Sequence, residues 1–386
     1  MSAETGFGRA LALAGALVLA ACVDGPPVDN SPPVTISPVE GAKVALLLPY
    51  GTDDNNTTEL ADSLEKGARL ALSSMGSSPI DLRVYPTAGT PEGAVEAAAH
   101  AIDNGASIIL GPVFGDAAAA VGPLASQRGI PVFSFSNRPE VAGGNVFLLG
   151  HTHVNSATRI LEFALSQGRG RVLVTHADTD AGHSSRRAVE QAAQEVGFEV
   201  AGSVAYEFSQ IGVIDSVPEI VAALEASSAD LLLMTGNTAG ALPMLAQMIP
   251  EAGVDPAIVQ TAGITRWDIP ENSLRINGLQ GGWFPLPDPN LAASFSYRYQ
   301  YEFNVAPHSL AGLAYDGIVV ADQLLRSGGG NDLFVITSAS GFSGADGVFR
   351  FHPDGLPERG LAVAEVREFD KVVISPSPRS FADGES

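Results

Sequence analysis

Apolar residues in this chain come in short continuous runs separated by longer amphipathic stretches. Lys43-Val44-Ala45-Leu46-Leu47-Leu48-Pro49 is a run of the kind buried on both faces of a parallel sheet. Asn56 and Glu59 match a variant capping box. Leu60, Leu64, Ala68 and Ala71 then recur at helical spacing along one face. The pattern goes on to predict strands over 80–85, 107–110, 131–135 and 145–149, with helices over 91–103 and 116–127. It restarts after Gly150, with helices over about 155–166, 184–196, 217–226 and 239–249. Strands over 171–175, 199–205, 231–234, 257–261 and 279–283 alternate with them. Ser184 reads as an N-cap and Gly197 as the glycine that ends a helix.

Beyond Pro285-Leu286-Pro287-Asp288-Pro289 the pattern predicts helices over 291–303 and 309–326 and strands over 347–351 and 361–366. Strands alternating with helices specify parallel sheets with right-handed crossovers. The fold class expected is α/β, two doubly wound lobes joined by several crossovers. Residues 42–150 plus about 286–330 form the first lobe. Residues 151–285 plus about 331–370 form the second, and 371–386 a flexible tail. No short solenoid repeat is present.

Composition narrows the function classes. The 386 residues hold 21 Lys and Arg against 43 Asp and Glu, a formal net charge of −22. Phosphate backbones need clustered cations, so nucleic acid is not the expected partner. Mean hydropathy is +0.17, which is compatible with a large core. Cys22 is the single cysteine, so disulfide frameworks, cysteine zinc sites and iron–sulfur clusters are excluded.

That cysteine ends an apolar run over 10–21, too short to span a bilayer but suited to a secretion signal. Leu19-Ala20-Ala21-Cys22 resembles the lipobox of bacterial lipoproteins, which implies cleavage after residue 21 and acylation of Cys22. The next 19 residues carry five prolines, a semi-rigid tether reaching roughly 60 Å at ~3.1 Å per residue. Val23 rather than Asp follows the cysteine, which favours the periplasmic face of the outer membrane over the inner membrane.

Catalytic signatures are missing: no Walker phosphate loop, HExxH or GxSxG occurs. Gly168-Arg169-Gly170 precedes a strand, whereas a dinucleotide loop follows one. His151 and His153 read as part of a crossing between lobes rather than a metal pair, and Asp180 as a helix-start acid. Trp267 and Trp283 read as core residues, and Tyr315 and Asp316 as structural positions in a helix. No enzyme activity, cofactor or metal is expected.

Five segments carry a family resemblance. They are Val44 to Pro49, Ile109-Leu110-Gly111-Pro112-Val113-Phe114, Gly129 to Asn137, Leu310-Ala311-Gly312-Leu313-Ala314-Tyr315-Asp316 and Gly341 to Phe351. With the element order, they resemble the type I periplasmic binding proteins over about residues 42–368. Within that fold, Ser134-Phe135-Ser136-Asn137 and the Gly341–Phe351 string look closest to LpoA-type penicillin-binding protein activators. That branch implies a lipid-anchored periplasmic protein that stimulates a peptidoglycan synthase, a bifunctional penicillin-binding protein. The alternative is a lipid-anchored substrate-binding protein of an ABC transporter, similar to branched-chain amino-acid receptors.

Ligands of parallel sheets sit beyond the carboxyl ends of the strands. The candidate cleft residues are therefore Tyr50, Phe114, Ser134, Ser136 and Asn137 in the first lobe. His176, Asp178, Asn237 and Thr261 are the candidates in the second. Ser136 and Asn137 serve equally as caps of the next helix. Amino-acid receptors place a hydroxyl near the position held here by Gly115, and an acid where Ala262-Gly263-Ile264 follows Thr261. A buried ammonium without an anionic partner is costly, so the resemblance disfavours a free amino acid at that place.

Overall fold

Alternate residues of the first strand face opposite ways, and each face meets a helical layer. The computed structural model describes residues 41–328 and 332–381; Cys22 and the proline-rich tether lie outside them. The first series runs β1 (Ala42–Leu48), α1 (Asn55–Ser74), β2 (Ile80–Pro86), α2 (Pro91–Asp103), β3 (Ile108–Leu110), α3 (Gly115–Ser126), β4 (Val132–Ser134) and β5 (Val146–Leu148). These strands form one parallel sheet in the order β2-β1-β3-β4-β5. Val44, Leu46 and Leu48 pack into one core and Ala45 and Leu47 into the other. The period-2 alternation of a strand buried on both sides produces this split.

The second series runs α4 (His153–Ser166), β6 (Arg171–Ala177), α5 (Asp180–Val196), β7 (Glu199–Tyr206), α6 (Gln210–Ser227), β8 (Leu231–Met234), α7 (Leu242–Glu251), β9 (Gln260–Gly263) and β10 (Trp283–Leu286). The chain then forms α8 (Pro289–Phe303), α9 (Ala311–Arg326), β11 (Phe342–Ser343), β12 (Val348–Phe351), β13 (Pro357–Arg359), β14 (Ala362–Arg367) and β15 (Asp370–Ser375). The second sheet has the order β15-β14-β10-β9-β8-β6-β7, with β14 and β15 antiparallel. The protein has the α/β two-lobed fold expected.

The late elements divide differently from expectation. Helix α9 lies in the core of the first lobe, where Leu313, Ala314 and Ile318 pack with Val44 and Leu46. Phe342, Phe349 and Phe351, expected in the second lobe, join that same core. The Phe351 ring lies 5.6 Å from both Phe133 and Phe147, a buried aromatic cluster that draws the small β11–β13 sheet onto the first lobe. Strand β14 alone of this stretch enters the second sheet. Residues 371–375, expected as flexible tail, pair with it as part of β15 (Asp370–Ser375).

Two expected caps also move. Asp54 rather than Asn56 caps α1, accepting hydrogen bonds from the backbone N–H groups of Asn56 and Thr57. Thr179 caps α5, which leaves Ser184 inside the helix.

The chain crosses between lobes at 149–152, 287–288 and 360–361. Arg359, buried beside the last crossing, fastens the first. Its Nε and Nη2 donate to the Leu149 carbonyl at 3.0 and 2.6 Å, and Nη2 also donates to Asp316 Oδ2 at 2.9 Å.

Candidate functional site

Both parallel sheets present loops at their carboxyl ends, and most of the candidate residues lie in them. Tyr50, after β1, is half-buried and donates from its hydroxyl to Glu65 Oε2 at 2.9 Å. Burial, reinforced by that acid, raises its pKa. It lines a cavity of about 290 Å³ with Thr87, Glu96 and His100. Phe114 precedes α3, makes no side-chain cap bond, and is 38% exposed. Asn137, after β4, is exposed.

Two of the first-lobe candidates have other occupations. Ser134 is fully buried; its hydroxyl donates to the Pro112 carbonyl at 2.9 Å and accepts from the Ser136 N–H at 3.1 Å. Ser136 in turn accepts from the Arg138 N–H at 3.1 Å. This chain of bonds ties the loop after β4 to the loop after β3. The positions are folded into the loop architecture, consistent with a turn role.

In the second lobe, buried His176 holds Nδ1 2.9 Å from the Ala177 carbonyl, and its ring centroid lies 5.1 Å from that of His183. Burial lowers its pKa. Asp178 is exposed and lies 3.0 Å from His183 Nε2. Asn237 closes a turn by accepting from the Ala239 N–H at 3.1 Å. Thr261 stands inside β9, opposite Leu232, rather than past its end. The strand starts and finishes later than the sequence pattern predicts, because residues 255–258 form a turn. The Ile258 N–H donates to the Asp255 carbonyl, and the Ile258 side chain is 66% exposed.

The structure thus groups Phe114, Ser136 and Asn137 in one lobe and His176 and Asp178 in the other. It also shows what the sequence reading passed over. The Gly115 position lies under Arg138: a Cβ there would come within 2.4 Å of Arg138 Cδ. Where a hydroxyl was expected, the start of α3 is covered by a guanidinium, which is ion-paired with Asp116. Phe208, after β7, is 66% exposed. Across the lobes, Ser184 Oγ of α5 donates to Glu140 Oε1 at 3.3 Å. Exposed aromatics flanking a strand-end loop were legible only as apolar residues out of period.

A second cavity, of about 230 Å³, lies at the crossings. Its wall takes His151 from the first crossing, Pro287 from the second and Leu361 from the third, with Arg266, Asp346 and Ser309. His151 Nε2 lies 3.9 Å from Asp346 Oδ2. Burial first, then the positive charges of Arg359 and Arg266, push the imidazole down to about 4. His153 begins α4, so the two histidines do not share a strand face; its Nδ1 lies 2.9 Å from Ser185 Oγ. Among the described residues no group of three or more His, Cys, Asp or Glu is arranged to hold a metal. None of the described helices is long and apolar enough to cross a membrane.

A family model described as periplasmic binding protein matches residues 42–371. The chain belongs to that family. No protein of curated function matches it. Solved structures share the fold at low identity. A branched-chain amino acid ABC transporter periplasmic ligand-binding protein from Burkholderia xenovorans is 16% identical with a TM-score of 0.69, over 89% of this chain and 97% of that one. An ABC transporter substrate-binding protein from Desulfitobacterium hafniense, in complex with Leu, is 16% identical with a TM-score of 0.62, over 86% and 99%. A solute-binding protein of an ABC transporter from Rhodopseudomonas palustris, in complex with 3,4-dihydroxybenzoic acid, is 17% identical with a TM-score of 0.57, over 87% and 96%.

These findings overturn the synthase-activator expectation in favour of its alternative. The physical reason lies in the motifs that carried it. Ser134 and Ser136 pin loops. In the Gly341–Phe351 string, Phe342, Phe349 and Phe351 fill the first-lobe core. Gly344 leaves room for Asp316, whose Oδ1 would lie 2.4 Å from a Cβ there. Both strings therefore report the fold rather than one branch of it. The protein is a periplasmic binding protein.

Proposed function

We propose that this protein is the substrate-binding component of an ABC transporter, with the loops at the carboxyl ends of its two parallel sheets holding a small carboxylate. The observation that carries the class of solute is Arg138, whose guanidinium covers the start of α3. Helix N-termini favour anions, and a guanidinium matches a carboxylate in two-pronged geometry. Phe114 and Phe208 supply apolar surface for the body of the solute, and Asn137, Asp178 and Asn237 supply polar contacts. The Leu and dihydroxybenzoate complexes of proteins with this fold are in keeping with an organic acid of that size. Acylated Cys22 and the tether would hold the protein at the periplasmic face of a membrane.

Titration calorimetry and thermal denaturation against leucine, isoleucine, valine, benzoate and dihydroxybenzoate, followed by a wider set of organic acids, test the reading. One acid is expected to bind and to raise Tm, since a ligand at 100 times its Kd stabilises by about 2.7 kcal/mol. Arg138→Ala should weaken that binding at least about tenfold, roughly the loss of one charge-assisted contact. Absence of binding across the whole set would refute it.

A further inference from the structure

The cavity beside Tyr50 lies within the first lobe, where β2 forms the edge of the sheet. Tyr50 follows β1, Thr87 and Ala88 follow β2, and α2 supplies Glu96 and His100. Three aromatic rings border the space. Tyr85, only 8% exposed, stands edge-on to His100, with centroids 5.8 Å apart and planes at 82°. Those two rings make a corner, and Tyr50 is the third. Ala88 is held at a left-handed φ of 51°, a costly conformation for a residue with a Cβ. Its N–H donates to the Tyr50 carbonyl at 2.9 Å, which fixes the tyrosine backbone against the loop after β2.

The polar groups of the wall select the sign of an occupant's charge. The Tyr50 hydroxyl donates to Glu65 Oε2 at 2.9 Å, and the Thr87 hydroxyl donates to the Leu48 carbonyl at 3.1 Å. Neither hydrogen is left for an anion. No lysine or arginine lines the cavity. Glu96 does line it, and among the described residues it has no ion-pair or hydrogen-bond partner. The rings point the same way. Aromatic faces attract cations, and a phenol that donates to a carboxylate is polarised toward a more electron-rich ring.

The wall also separates one cation from another. A primary ammonium is compact and strongly hydrated, and stripping its water at an aromatic surface is costly. A methylated ammonium presents apolar methyl groups to the rings and gives up less. At about 290 Å³ the space is just below the roughly 300 Å³ where pockets for drug-sized ligands begin, so the occupant is small.

We propose that this cavity is a binding site for a small quaternary ammonium, held by Tyr50, Tyr85 and His100 with Glu96 as its counter-ion. It shares none of Phe114, Asn137 or Arg138 with the loops assigned to the transported solute, so either assignment can fail alone.

Titration calorimetry with tetramethylammonium and choline tests it. Two compounds serve as comparisons: ethanolamine, which is choline without the methyl groups, and neohexyl alcohol, which has carbon in place of the nitrogen. At least one of the two cations is expected to bind, and both comparisons at least tenfold more weakly. Tyr50→Leu and Glu96→Lys should each weaken the bound cation at least tenfold. Glu96 is exposed on α2, so its variant keeps the test decisive if Tyr50→Leu fails to fold. The proposal is overturned if neither cation binds or if either comparison binds within tenfold of the better cation. A loss of less than tenfold in Glu96→Lys, or in a folded Tyr50→Leu, overturns it equally, because the cation then sits elsewhere.

Discussion

At the scale of single residues, the buried charges near the crossings set how the protein responds to acid. His151 has its pKa lowered to about 4 from an ordinary value of 6.5, by burial and then by Arg359 and Arg266. Between those values the unfolded chain takes up a proton that the native protein refuses, so stability falls as pH drops. Burial lowers His153, His176 and His308 as well, with the same sign. Asp316 works against them. Burial raises it from 3.8 to about 6, so within that window the native state holds the proton more tightly and stability rises as pH drops. His352, raised by Glu358, also opposes. Four histidines outnumber these two groups, and above pH 6 Asp316 is more than half ionised in the native state as well as the unfolded one. Tm is therefore expected to fall between pH 7 and pH 6, and His151→Asn to flatten that fall by a measurable part. A Tm that is level or rising over this interval in the parent protein would contradict the balance of signs. None of this was readable from sequence. His151, Asp316 and Arg359 come from three distant segments, and only the folded chain brings them together.

Elements were more legible than residues, for a physical reason that also marks where legibility stopped. Strands such as β1 and β8 are continuous apolar runs because both sheet faces are covered, and such runs stand out. Strand β9 did not, because its residues Gln260–Gly263 are less apolar than Ala257-Ile258-Val259 before it, and a turn anchored on Asp255 claims part of that run. The pairing of α1 with α9 was equally hidden, since it depends on one small residue. A Cβ on Gly67 would lie 2.2 Å from the Ala311 carbonyl oxygen and 3.1 Å from its carbon, both backbone atoms that cannot rotate away. Gly67→Ala should therefore push the two helices apart at a cost of about 1–3 kcal/mol, the usual range for overpacking. Gly170→Ala, with nothing within 4 Å of the added methyl, should change stability by less than about 0.5 kcal/mol. Denaturant midpoints at equal slope compare the two. A Gly67→Ala midpoint matching that of Gly170→Ala would show that the helices do not depend on this contact.

At the scale of the whole molecule, the C-terminal segment acts as a seam. The sequence pattern made residues 371–386 a tail, because β15 has mostly exposed side chains and little apolar signal. Its backbone nevertheless covers β14, pairing Ala364 with Val373 and Val366 with Lys371. Side chains then reach three separate parts of the second lobe and its crossings. Lys371 bonds Asp268 at 2.6 Å, and Ser377 bonds Asp288 at 2.7 Å on the second crossing. Arg159 of α4 bonds both Leu361 beside the third crossing and Ser375 of β15. A chain ending at Arg367 loses all of these except the Arg159–Leu361 bond, and it leaves the β14 edge open, a template for pairing with another chain. That truncation should lower Tm by more than the roughly 2–4 °C that 1 kcal/mol produces in a domain of 150–250 residues. It should also raise light scattering on heating. A chain ending at Phe381 keeps every bond named here and should melt with the full-length protein. If the chain ending at Arg367 melts at the parent temperature and stays monodisperse, the segment is a tail after all, and the strand pairing of β15 contributes nothing to holding the lobes' crossings in place.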